Sequence, residues 1–426
     1  MLLFYLLNVL LLSGLGWLLY KQTWAETLRP YLLPALFLKL ASGVLLGVLY
    51  FYFYGAGDTI SYFKGSQKLT QFAYSNPSGY LRLLIFNEFP SETFRASVPF
   101  TRHADFSNSF FLLKGISLFN LLTNSSYYLI SLYFSLFSFW GMAKLTAILT
   151  RVFPDTKKAP IVGFLFFPSV VFWSSGLLKD AVLMGSMCWV TAFILQLTHK
   201  QPKTILTWLL LPLQLYLFIR IKVFFAAILL FLLGSYLLIS WLSGRVRFLQ
   251  TLAGQLLVLA GFAVLAIVMV WQAGGIFDVD FLIRNLVYTY NGLLRVSLEG
   301  PHLVYPELDS TLTSILRYAP AAFLNTLYRP FIGESTEILY LLMGLENLVL
   351  LLLTILAVAA AFTKTWVHKI RFWHIVLLLF IVMAAVVIGI STPNFGTLSR
   401  YRIIFLPFLV YLLLQNRFAQ RLLRKL

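Results

Sequence analysis

Long apolar runs separated by short polar connections recur from one end of this chain to the other. Most are about 18 residues or longer, enough for a helix to cross a hydrocarbon core of about 30 Å. The pattern predicts spans near 1–20, 31–54, 116–149, 160–175, 177–198, 204–219, 222–242, 250–272, 338–362, 373–391 and 403–416. The expected fold is all-α: a single integral membrane domain over residues 1–426, a polytopic helical bundle of about 11 spans (range about 10–13). A membrane barrel would show short alternating segments instead, and the sequence has none. The pairs 160–198 and 204–242 must each cross and return in fewer than about forty residues, and short or broken helices of that kind are tolerated where they wall a protein-enclosed cavity.

Two longer segments, about 55–115 and 273–337, interrupt the pattern. The first contains FAYSNPSGYLRLLIFNEF, aromatic and amphipathic, which predicts a helix lying in the membrane interface. The second is Pro-rich in its middle and apolar near its end, where an interfacial helix or a re-entrant segment fits equally.

Charge then orients the bundle. Only 11% of the residues are charged, against about 25% in soluble domains, and the formal net charge is +18. The basic segments Lys21–Arg29, Arg151–Lys158, Lys200–Lys203, Arg245–Arg247, Lys364–Arg371 and Arg417–Lys425 all fall on one side when the spans alternate. Cytoplasmic loops are enriched in Lys and Arg, so the N-terminus is expected outside and the C-terminus in the cytoplasm. That role accounts for the positive balance and leaves no reason to expect nucleic acid as a partner. Residues 1–20 lack a basic leader and precede Lys21, so they read as an uncleaved first span. The one cysteine, Cys188, lies in an apolar run and can form no internal disulfide.

The opposite, outer side carries charges that topology does not require, and such charges point to ligand chemistry. Gly55-Ala56-Gly57-Asp58 follows the second span, where glycines allow a sharp turn and a close approach. Asp58 suits a general base toward a hydroxyl, a ligand for a divalent metal, or a plain helix cap. The stretch from Phe167 to Asp180, FPSVVFWSSGLLKD, breaks a span at proline and opens the returning helix with Lys179 and Asp180. A helix N-terminus favours phosphate; the alternative is a solvated hairpin tip. Arg220 with Lys222, and Arg400-Tyr401-Arg402, place basic side chains against the positive-inside trend, and arginine holds phosphate oxygens bidentately. Glu346 lies inside an apolar run, either as a site residue or as a partner for Arg329 or Arg402.

The histidines, His103, His199, His302, His368 and His374, show no zinc-binding spacing, and no Walker A or GxGxxG motif occurs. Other outer acids are Glu88, Glu92, Asp105, Glu299, Glu307 and Asp309, and spacing alone selects none as a second carboxylate.

The outward Gly-Asp after an early span, the long first outer loop and the late Arg-Tyr-Arg before the last span resemble multispanning bacterial glycosyltransferases of the GT-C class. FPSVVFWSSGLLKD and NFGTLSRYR look like segments of O-antigen-polymerase-like proteins of polysaccharide biosynthesis. The resemblance implies an enzyme of the bacterial inner membrane that takes a sugar from a polyprenyl-phosphate or polyprenyl-pyrophosphate donor. Asp58 would activate a glycan or lipid-linked acceptor. Arg400 and Arg402 would hold the donor, with Tyr401, Arg220, Lys222, Lys179, Asp180 and Glu346 as further contacts. Many GT-C enzymes pair two acids in the first outer loop, whereas Thr59 follows Asp58 here, which leaves a divalent metal open. A lipid-linked oligosaccharide polymerase has the same parts. A transporter or flippase for lipid-linked glycans is the non-enzymatic alternative, but such proteins usually show internal repeats and midplane polar groups, and this chain shows no repeat.

Overall fold

The computed structural model describes residues 2–273, 279–367 and 370–424; His368, Lys369 and Lys425 of the basic segments, and the start of the second long segment at 274–278, lie outside the described residues. Among the described residues the chain is helical, with isolated bridges and no strand, as the apolar runs require. It divides into two compact units. The first comprises Met1–Arg151, Val171–Phe193 and Pro202–Ala226; the second comprises Val152–Val170, Ile194–Gln201 and Ala227–Leu426.

In chain order the helices are α1 (Leu2–Tyr20), α2 (Arg29–Val48), α3 (Asp58–Ser75), α4 (Pro77–Phe86), α5 (Glu92–Ser97), α6 (Asn108–Thr123) and α7 (Tyr127–Val152). Then follow α8 (Lys158–Pro160), α9 (Pro168–Trp173), α10 (Lys179–Thr198), α11 (Ile205–Ile221), α12 (Val223–Ser243) and α13 (Leu252–Ala273). The remainder are α14 (Val279–Arg295), α15 (Leu312–Tyr328), α16 (Ile338–Phe362), α17 (Phe372–Ser391), α18 (Phe395–Tyr401), α19 (Leu406–Leu413) and α20 (Arg417–Arg424).

Among the described residues, eight helices are long and apolar enough to span a membrane, and a ninth span arises if the pair Phe395–Ile404 and Leu406–Leu413, bent by 68°, is counted as one. The other two expected spans have identifiable defects. α11 has only 17 residues. The segment near 160–175 breaks at Phe167, whose backbone is extended ahead of Pro168, because a residue preceding proline is disfavoured in the helical region. The expected span 116–149 is also divided: Asn124 and Ser125 take left-handed backbone angles and end α6 before α7 begins. Asparagine tolerates that conformation better than most residues.

α7 and α10 are the most enclosed spans. They cross backbone to backbone: a Cβ on Gly141 of α7 would come within 1.9 Å of the Gly185 carbonyl of α10. Small residues at such crossings substitute close packing for a hydrophobic force that lipid does not supply.

Within 72–89, where a helix was expected, the chain forms α4. Asn76 caps it by accepting from Gly79 N at 2.9 Å, and Asn87 ends it. Its apolar face, Tyr80 and Leu83, packs with Leu69, Phe110 and Leu113 of α3 and α6. In the second long segment α14 buries Ile283, Val287 and Tyr290, one helical face. α15 packs on α17 through small residues: Thr326 Oγ1 donates to Ala385 O at 3.0 Å, and a Cβ on Gly389 would lie 2.4 Å from Ala322 O.

Candidate functional site

Asp58 is delivered by a turn that requires glycine. Gly57 has φ 131°, and a Cβ there would strike the Tyr50 ring at 2.6 Å. Asp58 then opens α3, where the helix dipole favours an anion. The adjacent Thr59 fixes this end in place: its Oγ1 donates to Leu177 O at 2.8 Å and lies 2.8 Å from the Tyr127 hydroxyl.

Leu177 belongs to the turn between α9 and α10, and side chains from neighbouring spans hold that turn. Gly176 adopts φ +70°, a left-handed angle at which a side chain would be strained. Its N–H donates to Ser135 Oγ at 2.8 Å. Ser131, one helical turn away on α7, donates to Gly43 O at 2.8 Å. Lys39 of α2, fully enclosed, reaches Ser174 Oγ, Val171 O at 3.5 Å and Met142 Sδ at 3.5 Å. Lys179 therefore emerges from a pinned turn. Its ammonium donates to Asn108 Oδ1 at 3.2 Å and Ser109 Oγ at 3.0 Å, and sits 5.6 Å from the centre of the Tyr62 ring, one helical turn along α3 from Asp58. Asp180 is 1% exposed. This stretch is not the solvated hairpin tip that was one of its two readings.

Asn108 joins Lys179 to the next cationic group, because its amide Nδ2 donates to Ile221 O at 2.9 Å, between Arg220 and Lys222. Arg220 donates to the Asp105 carbonyl and lies 5.4 Å from the Phe111 ring centre. A chain of side chains continues from there. Asn87 Nδ2 donates to Asp105 Oδ1 at 2.6 Å, and Lys114 donates to Asn87 Oδ1 at 2.7 Å and to Leu84 O at 2.9 Å. Burial lowers the Lys114 pKa; Arg220 lowers it further and Asp105 opposes them.

Lys114 also forms part of the wall of an apolar cavity of about 480 Å³. The remaining wall is supplied by residues such as Leu84, Phe111, Leu118, Phe134 and Leu217 from α4, α6, α7 and α11. An anion with an apolar tail would meet cations and an apolar enclosure side by side. The first unit thus brings Asp58, Lys179, Asp180, Arg220 and Lys222 into one framework of α3, α6, α10 and α11.

Glu346, Arg400, Tyr401 and Arg402 belong to the second unit. Arg402 forms an ion pair with Glu346 at 3.1 Å, with side chains 1% and 11% exposed, and also donates to Asn347. Glu346 accepts from Ser169 N at 2.8 Å and Ser169 Oγ at 2.6 Å. Of the partners considered for Glu346, Arg402 is the one it meets; Arg329 pairs with Glu334 instead. Arg400 is 7% exposed, and its guanidinium lies 5.8 Å from the centre of the adjacent Tyr401 ring.

Three lysines escaped the sequence reading. Lys114 falls where a span was expected to begin. Lys39 and Lys144 sit within apolar runs and are each 1% exposed, Lys144 lying 3.6 Å from the Trp189 ring centre. Neither has a carboxylate partner among the described residues. The rule that singled out Glu346, an ionisable group inside a span, applies equally to both. Among the described residues no three His, Cys, Asp or Glu side chains are grouped so as to hold a metal ion. Comparison with protein-family models, with curated proteins and with solved structures gives no match.

Proposed function

We propose that this chain is a membrane-embedded glycosyltransferase that takes its sugar from a polyprenyl-phosphate- or polyprenyl-pyrophosphate-linked donor, on the outer face of a bacterial inner membrane. The observation that carries the reading is the apolar cavity with Lys114 in its wall and Arg220 against its Phe111, in the same unit as Asp58 and Lys179. A prenyl chain suits the cavity, and its phosphate suits the cations.

In this reading Asp58 accepts the proton of an acceptor hydroxyl as that oxygen attacks the anomeric carbon of the donor. The bond from that carbon to the phosphate oxygen breaks, and its electron pair leaves on the phosphate. Lys179, Arg220 and Lys114 offset the charge that develops there, which is how fixed cations lower such barriers. A lipid-linked glycan as acceptor would make the same chemistry a polymerisation.

The test is mass spectrometry of polyprenyl-linked glycans in the native host, comparing wild type with chromosomal Asp58→Asn and Lys114→Met strains at equal protein level. The expected result is accumulation of a lipid-linked intermediate and loss of the finished glycan, by about 100-fold or more for Asp58→Asn. An unchanged lipid pool and glycan in the Asp58→Asn strain would remove Asp58 as the base and the transferase reading with it.

A further inference from the structure

The second unit contains a separate apolar cavity, of about 290 Å³, between α16, α17 and α19. Ala357, Val358, Leu378, Leu409 and Leu412 contribute to its walls. Val358 and Leu378 are 50% and 46% exposed, so this flank of the unit is open to its surroundings, which for a spanning helix are acyl chains.

The stretch that follows α16 is tied to the segment leading into α20. Val367 N donates to Gln415 O at 3.1 Å, and Arg417 N donates to Thr365 O at 3.0 Å. Trp366 and Ile370 of this stretch line the cavity. Lys364, Arg371 and Arg417 are exposed there, and neither 363–371 nor 415–424 contains an acidic residue. Gln415 also lines the cavity. It is 2% exposed, and the Tyr411 hydroxyl is its neighbour.

We infer that this cavity binds one anionic glycerophospholipid, with an acyl chain between α16, α17 and α19 and the phosphate against Lys364, Arg371 and Arg417. Each part of the site meets its counterpart in such a lipid. The apolar walls take the chain, Trp366 lies at the headgroup level that indoles favour, and the cations select negative charge. A zwitterionic headgroup would bring its own cation to this basic stretch, which offsets part of the attraction. The inference is independent of the proposed chemistry, since its residues belong to the second unit.

The experiment is native mass spectrometry of the full-length protein in neutral-detergent micelles, with phosphatidylglycerol, phosphatidylcholine of the same chains, or inorganic phosphate added. Wild type is expected to retain one phosphatidylglycerol at least about tenfold more strongly than phosphatidylcholine. Combining Arg371→Gln with Arg417→Gln should reduce retention to the phosphatidylcholine level. Ala361→Phe, at an exposed cavity-lining position, should weaken both lipids. Equal retention of the two lipids by wild type, or a preference that survives loss of both arginines, would overturn the inference. So would displacement of phosphatidylglycerol by inorganic phosphate alone, which would mark a free-phosphate site.

Discussion

A lysine carried into a span has to be held by something, and the identity of that partner decides its effect. Lys39 is enclosed by α2, α7 and the turn after α9, and is held by the Ser174 hydroxyl, a carbonyl and a thioether, the last two at 3.5 Å. A hydrogen bond to a charged group returns about 1.5–3 kcal/mol, and contacts at 3.5 Å return less. Enclosing the amine costs several kcal/mol, whether it keeps its charge or gives up its proton. On that balance Lys39 destabilises the fold, and its use lies in the turn it holds, from which Lys179 reaches Asn108 and Ser109. Lys39→Met is therefore expected to stabilise the protein by about 1–2 kcal/mol while lowering the finished glycan. Thermal unfolding in micelles reads the first effect and the lipid-linked pool reads the second. A methionine variant less stable than wild type would show that Lys39 is structural glue instead.

At the scale of elements, what matters is how closely backbones approach. α7 and α10 cross at Gly141 and Gly185, with room for no more than a hydrogen at Gly141. Gly141→Ala should destabilise the protein by about 1–3 kcal/mol, the range for forcing atoms into a packed site. A Cβ on Gly234 of α12 would meet nothing within 4 Å, so Gly234→Ala should be neutral or stabilising by up to about 1 kcal/mol. Parallel denaturation of the two variants checks the contrast, and equal losses would mean that the crossing is not tight.

The same distinction explains what the sequence could reveal about the elements. Bilayer-length apolar runs were legible because they follow from composition alone, and the breaks at Phe167-Pro168 and at Asn124 follow from residue chemistry once their depth is known. The cluster around Asn108 was not legible. It joins α6 to α10 and to α11 through contacts 71 and 113 residues apart in sequence, and no periodicity encodes such a meeting. Lys179 and Arg220 could be selected as cations on the wrong side of the positive-inside pattern, and Asp58 as an outer charge that topology does not require. Lys114 was one of several basic residues in the long outer segment 55–115, and nothing in the sequence distinguishes it as the one that reaches the cavity.

At the scale of the whole molecule, the residues selected from sequence divide between the two units, and their surroundings differ. Lys114 lines an apolar cavity and Arg220 lies against its Phe111, whereas Arg402 is neutralised within the protein by Glu346 and held by Asn347. Removing one member of a buried pair leaves the other charge uncompensated, at a cost of about 3–5 kcal/mol. Arg402→Met alone should therefore lower stability strongly. Combining it with Glu346→Gln should restore most of the loss, since glutamine can still accept from Ser169 N and methionine approximates the arginine stem. If Arg402 serves only to complete this pair, the double variant should make finished glycan at the wild-type level, in contrast to Asp58→Asn. A double variant that unfolds like wild type but accumulates the same lipid-linked intermediate as Asp58→Asn would reverse the assignment. Arg402 would then act on the donor.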